Sequence, residues 1–238
     1  MEHSWLRNNI GIMKVRCGGQ LILLTLMEKC ILNDIDVISL NTDGLEVIVE
    51  NTKMDLYLSL VKEVEHQFNV SFEREKYNKI VYSSVNDYIA VLENGNLKKK
   101  GMFVTDPELG NSVNFLIIPK LLEQYFIHGI QPDQAITSSK YHIYDFCASQ
   151  KVDKTFTVEW NGEKQQRLNR YYVKRNGGYL YKCKDKSKHH MLKGWGVQLY
   201  NRHQEKPLDQ YNIDYKYYIA EVKKIISTIE NHNQLSLF

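Results

Sequence analysis

The most constraining stretch of the chain lies between residues 34 and 50. Residues 34–39 and 45–50, both rich in Ile, Val and Leu, flank Asn41-Thr42-Asp43-Gly44. Asp-Gly readily takes the positive-φ positions of a tight hairpin, so the two runs are expected to pair as antiparallel strands. In the second run Leu45, Val47 and Val49 alternate with Glu46, Ile48 and Glu50, the pattern of a strand with one wetter face. Residues 20–32 consist of good helix formers, with Leu21, Leu24, Met27, Glu28 and Ile31 at helical spacing. The expected opening unit is therefore a helix feeding a β-hairpin with Asp43 at its tip.

The same rules predict a helix over residues 53–68 and strands over 70–82 and 87–92. A turn follows at Asn94-Gly95, then a strand running to Phe103. Pro107 and Gly110 interrupt the pattern, and a domain boundary is expected near them. Beyond it, residues 114–128 read as a helix with Pro119 in its first turns, and short strands are expected around Trp160 and Tyr181. Residues 164–174 are expected to be helical. A last helix over 214–230 places Ile219, Val222, Ile226 and Ile229 on one face, leaving 231–238 as a flexible tail. The expected class is α+β, with an antiparallel sheet and packed helices first and a mixed, mainly helical region after it.

The length of 238 residues allows one large domain or two small ones. A composition of 43% hydrophobic and 25% charged residues excludes disorder, collagen and coiled coil. The longest apolar run, residues 21–27, is interrupted by Thr25 and is too short to span a bilayer, so no membrane is expected. The first residues lack a basic segment followed by an apolar core, and no secretory signal is expected. Cys17, Cys30, Cys147 and Cys183 form no CxxC pair, and reduced thiols in a cytoplasmic setting are the expectation. The net charge of +3 conceals an asymmetry: residues 139–206 hold 15 Lys and Arg against 6 Asp and Glu, together with 11 of the 27 aromatic residues. Cations interleaved with flat rings suit a polyanion, while a solvated surface over a tyrosine-rich core produces the same composition.

A carboxylate at a hairpin tip is well placed to hold a metal, because the strands fix its direction and the turn exposes it. Residues 37–45, Val-Ile-Ser-Leu-Asn-Thr-Asp-Gly-Leu, resemble motif C of the family B DNA polymerases, usually Asp-Thr-Asp-Ser. Roughly forty residues on, Asn86-Asp87-Tyr88-Ile89-Ala90 resembles the family's Lys-Lys-Arg-Tyr element, and Lys99-Lys100-Gly101 follows a hairpin. Gly19-Gln20-Leu21 and Leu168-Asn169-Arg170-Tyr171-Tyr172 are similar to the approach to motif C and to the thumb of divergent phage enzymes.

The resemblance implies a palm-type antiparallel sheet in residues 1–106 and a thumb-like DNA-binding region in 107–230. It also implies nucleotidyl transfer from a dNTP to a primer 3′-OH by two-metal catalysis with Mg²⁺. Asp43 then stands as the principal metal ligand and catalytic residue, with Asn41 as a supporting ligand through its amide oxygen. Tyr88, Lys98, Lys99, Lys100 and Gly101 are expected beside primer-template DNA, and Arg167, Arg170, Tyr171, Tyr172 and Lys174 along the duplex backbone. At least one of Tyr171 and Tyr172 is expected to be buried.

Motif A, motif B and the exonuclease carboxylates do not occur in these residues. The resemblance therefore implies a complementary polymerase chain that carries motifs A and B. A split subunit, an intron-interrupted gene product, a truncated remnant and a non-catalytic DNA- and clamp-binding module all remain open. The tail Gln234-Leu235-Ser236-Leu237-Phe238 resembles the pentapeptide by which bacterial replication proteins bind the sliding clamp, which implies phage replication in the bacterial cytoplasm. In that motif Gln234, Leu235, Leu237 and Phe238 are the anchors; packing of the same apolar residues under the last helix is the alternative.

Overall fold

The structure, a computed structural model, describes residues 9–105, 114–138, 140–185 and 187–235, with side chains to residue 231. It is α+β with antiparallel sheets, as the sequence predicts. The chain divides into two compact units, Met1–Lys76 and Tyr77–Phe238. The expected boundary near residue 107 thus falls inside the second unit. Each unit has its own core, and neither core draws on residues of the other.

The first unit runs α1 (Asn9–Leu32), β1 (Asp36–Leu40), β2 (Leu45–Ile48), a short 3₁₀ turn at Asn51–Lys53, then α2 (Met54–Phe68). Leu26 and Cys30 of α1, Ile35, and Leu60, Val61 and Val64 of α2 form the core, with Val37, Leu45 and Val47 of the hairpin packed against it. Asn69 ends α2 in the left-handed conformation, a role Asn tolerates. Helix α1 starts well before the predicted residue 20 and runs through Gly18 and Gly19. It is apolar around most of its circumference, and by length and composition it is long enough to cross a membrane. Only Leu23, Leu26 and Cys30 of its residues are buried, while Ile10, Val15, Leu21 and Leu32 are exposed.

The second unit begins with a three-stranded meander, β3 (Tyr77–Ser84), β4 (Asp87–Leu92) and β5 (Leu97–Lys100). Residues 70–76, expected to be strand, are irregular. Helices α3 (Ile117–His128) and α4 (Pro132–Ala135) follow; Pro119 occupies the first turn of α3, where its missing N–H costs nothing. Next come β6 (Cys147–Lys151), β7 (Thr157–Trp160), β8 (Glu163–Gln165), β9 (Leu168–Gly178), β10 (Leu180–Lys184), β11 (Ser187–His190) and β12 (Val197–Leu199). They make two sheets, ordered β12-β9-β6 and β11-β10-β7-β8. Helix α5 (Tyr215–Leu235) closes the unit.

Residues 164–174, expected to be helical, are strand instead. Tyr171-Tyr172-Val173 are aromatic and β-branched residues that fit a pleated surface, and β9 pairs on both edges, with β6 and β12. Three residues that are consecutive along a strand can all be buried only when both of its faces are covered, and Tyr171, Tyr172 and Val173 all are. The predicted apolar face of α5 is present: Val222, Ile226 and Ile229 are buried with Tyr218. The Tyr218 hydroxyl donates to the Phe146 carbonyl at 2.7 Å and accepts from the Val173 amide at 2.9 Å. One side chain of α5 thereby ties together the strand β9 and the turn entering β6.

Candidate functional site

The β1-β2 hairpin holds Asp43 at its tip through Asn41. Asn41 N–H donates to the Gly44 carbonyl at 3.0 Å. Its side-chain oxygen accepts from the backbone N–H groups of Asp43 at 2.8 Å and Gly44 at 2.9 Å. The turn therefore relies on an Asx-type bond rather than on positive φ, which neither Asp43 nor Gly44 adopts. Asn41 does not fit the supporting-ligand role, because two N–H groups already occupy its amide oxygen. Asp43 does fit as a ligand: it is exposed, and its carboxylate has no hydrogen-bond or ion-pair partner among the described residues. Those residues contain no cluster of three His, Cys, Asp or Glu side chains that could complete a metal pair around it.

In the meander, Tyr82, Tyr88 and Lys100 stand opposite one another on three neighbouring strands. The rings of Tyr82 and Tyr88 lie 5.7 Å apart, and Lys100 at the end of the row is exposed. The other two lysines are engaged within the unit. Lys98 Nζ donates to the Tyr77 hydroxyl at 3.3 Å and lies over its ring. Lys99 pairs with Glu123 of α3 at 2.6 Å and donates to Thr105, with both charged side chains largely shielded from water. Lys99, expected beside primer-template DNA, thus makes a helix-to-sheet ion pair within the unit.

Gly101 has a structural reason of its own. Its φ is +60°, and a Cβ there would sit 2.0 Å from Asp87 Oδ1. That carboxylate accepts the Met102 N–H at 2.8 Å, and its other oxygen accepts the Ser84 hydroxyl at 2.6 Å. These bonds, the Ser84 one foremost, hold the Asp87 carboxyl below the usual carboxylate range. Asp87, which replaces a basic residue of the resembled element, locks the end of the meander.

The basic segment separates into surface and core. Arg167 is exposed and lines a shallow depression with Lys151, Asp153 and Lys154. The guanidinium of Arg170 lies 5.3 Å over the Tyr144 ring, and its Nε donates to Ser149. Lys174 donates to Gln198 at 3.1 Å. Tyr171 and Tyr172 are both core residues, 5% and 2% exposed, and cannot stack on nucleotides. Tyr171 donates to Gln150 and Tyr172 to the Tyr211 carbonyl, and burial pushes the Tyr172 hydroxyl up to about 12.

Sequence reasoning passed over the exposed aromatics of the same stretch as site residues. Tyr179 is 47% exposed, and Tyr181 stands on β10 beside His190 of β11. The alternation of Leu180 and Lys182 with Tyr181 and Cys183 is the signal that separates these rings from the core.

At the C-terminus α5 continues through residues 231–235, where a flexible tether is expected. Gln234 and Leu235 are in its last turn; Leu237 and Phe238 lie outside the described residues. In comparisons with protein families and with characterised proteins, the chain matches none.

Proposed function

We propose that this chain is the palm-end and thumb-like portion of a template-directed DNA polymerase that works in phage replication. In this reading it is completed by a second chain bearing motifs A and B. The observation that carries the reading is the free, outward-facing Asp43 carboxylate at the tip of a hairpin backed by two helices. Asp43 supplies one carboxylate to a Mg²⁺ pair, and the metal, when bound, stabilises the attacking and leaving oxygens of the transfer. Primer-template DNA and dNTP come from solution; Lys100, Tyr88, Arg167 and Arg170 are the exposed or half-exposed residues available to the DNA. The need for a complementary chain is supported by the unit around Asp43. Of the twenty exposed large hydrophobics among the described residues, fourteen belong to it, Ile38 and Ile48 of the hairpin included.

The test is reconstitution with the complementary chain. Asp43→Ala is expected to lower templated dNTP incorporation on the order of 10²–10³-fold or more, since a metal contact to transferring oxygens is worth several kcal/mol. Incorporation that survives Asp43→Ala would refute the catalytic assignment.

A second reading, a non-catalytic DNA- and clamp-binding module derived from a polymerase, is favoured by the engagement of Asn41 in its own turn. It predicts DNA binding but no incorporation with any partner. In either reading residues 234–238 bind a bacterial sliding clamp, the last turn of α5 opening to present Gln234 and Leu235; terminal turns open at little cost. Deleting residues 235–238 is expected to abolish clamp binding, and unchanged affinity would refute it.

A further inference from the structure

We infer that the outer face of the β11-β10-β7-β8 sheet is a stacking surface for an unpaired DNA strand. The cross-strand register sets this face. Tyr181 stands opposite Glu159 and His190, Glu159 opposite Lys164, and Cys183 opposite Thr157 and Lys188, so these side chains share one side of the sheet. The opposite side carries Val158 and Leu180, which are buried in the unit's core, and the Trp160 indole, which donates to the Val197 carbonyl. The Tyr181 side therefore faces away from the core.

Its rings are held in place without being buried. The Tyr181 ring centroid is 4.4 Å from that of His190, and Lys188 Nζ lies 4.2 Å over the Tyr181 ring. Tyr179 meets the same imidazole edge to face at 5.4 Å. The core tyrosines 171, 172 and 218 each have a hydroxyl partner, whereas the hydroxyls of Tyr179 and Tyr181 have none among the described residues. Tyr179 remains exposed at this surface, and Tyr181 is half-buried with its ring braced by the imidazole and the ammonium.

Charge identifies the occupant. The four strands of this sheet hold Lys164, Lys182, Lys184 and Lys188 against Glu159 and Glu163. On the face itself Glu159 is neutralised by Lys188 at 2.5 Å, leaving Lys164 and the His190 edge toward solvent. A face with an excess of positive charge and an exposed ring fits a polyanion whose flat groups are free to stack. A single strand offers unstacked bases, and a duplex does not. The inference rests on the proposed reading of the chain as a DNA-handling protein and adds the surface and the state of the strand.

The test is fluorescence anisotropy of the full chain with a labelled oligothymidylate and with a blunt duplex of equal length. The oligothymidylate is expected to bind more tightly, and Tyr179→Ala/Tyr181→Ala to weaken it about tenfold or more while leaving the duplex unchanged. Tyr181→Phe keeps the ring and is expected to bind as the parent does. Lys164→Glu, at an exposed edge, reverses charge without touching the core. It is expected to weaken binding and flatten its salt dependence, a measure that stands if the tyrosine variant fails to fold.

A double variant that binds as tightly as the parent overturns the inference. So does a duplex bound and weakened in parallel, which would make the occupant a duplex. Asp43 lies in the other compact unit, so Asp43→Ala is expected to leave oligothymidylate affinity unchanged. Loss of the tyrosine effect and loss of Asp43-dependent incorporation are thus read separately.

Discussion

Three single residues carry much of the local order. At Gly101 any side chain meets the Asp87 carboxylate and backbone, in a conformation that L-residues rarely adopt. Gly101→Ala is expected to destabilise the second unit by about 2–3 kcal/mol, read as a lower midpoint in urea. Asp87 adds a pH dependence whose sign follows from its bonds. Its folded carboxyl is depressed, so its contribution is complete above the ordinary Asp value of about 3.9 and is lost as pH falls through the lower folded value. Asp87→Asn is expected to be less stable than the parent at pH 6, with the gap narrowing toward pH 2 in parallel urea melts. At the hairpin, Asn41→Ala removes the acceptor for two N–H groups and is expected to cost about 1 kcal/mol, whereas Asn41→Asp keeps the turn. The exposed position of Asp43 was legible because Asp-Gly between alternating runs means a tip. The engagement of Asn41 was not, because the same amide can coordinate a metal or cap a turn, and only geometry decides.

At the scale of elements, legibility followed how local the deciding contacts are. The hairpin, α2, α3 and α5 announce themselves through periodicity and turn chemistry within a few residues. β9 does not: its composition tolerates a helix, and it becomes a strand because β6 and β12, far away in sequence, pair with both edges. The ion pair of Lys99 was hidden for the same reason, since its partner Glu123 is on α3. The tyrosines that β9 and α5 place in the core make the second unit sensitive to alkali. Burial pushes Tyr172 up to about 12 and Tyr218 well above its ordinary value, and it also pushes Tyr141, in the loop before β6, up to about 12. An unfolded chain ionises these groups near pH 10, so stability is expected to fall as pH rises above about 10. Tyrosinate absorbance should then rise together with loss of near-UV circular dichroism, in one transition.

At the scale of the molecule, the division at residues 76 and 77 separates two unequal cores. The second unit's core lies wholly within its own residues, so residues 77–238 expressed alone are expected to unfold cooperatively in a denaturant titration. The first unit's core cluster has six buried residues beneath many exposed apolar ones, and residues 1–76 alone are expected to self-associate in light scattering. This division was hidden in the sequence because residues 70–76 carry no Pro or Gly to mark a break, whereas Pro107 and Gly110 mark one where the chain stays within a single unit.

The place of Tyr218 bears on how the protein is made. Its hydroxyl is hydrogen-bonded to Phe146 and Val173, residues synthesised long before it, and α5 comes after every other described element of the second unit. Until α5 is made, the β12-β9-β6 sheet waits without the side chain that joins its strands to α5. Synthesis of α5, rather than diffusion of the earlier strands, sets the moment at which that core can close.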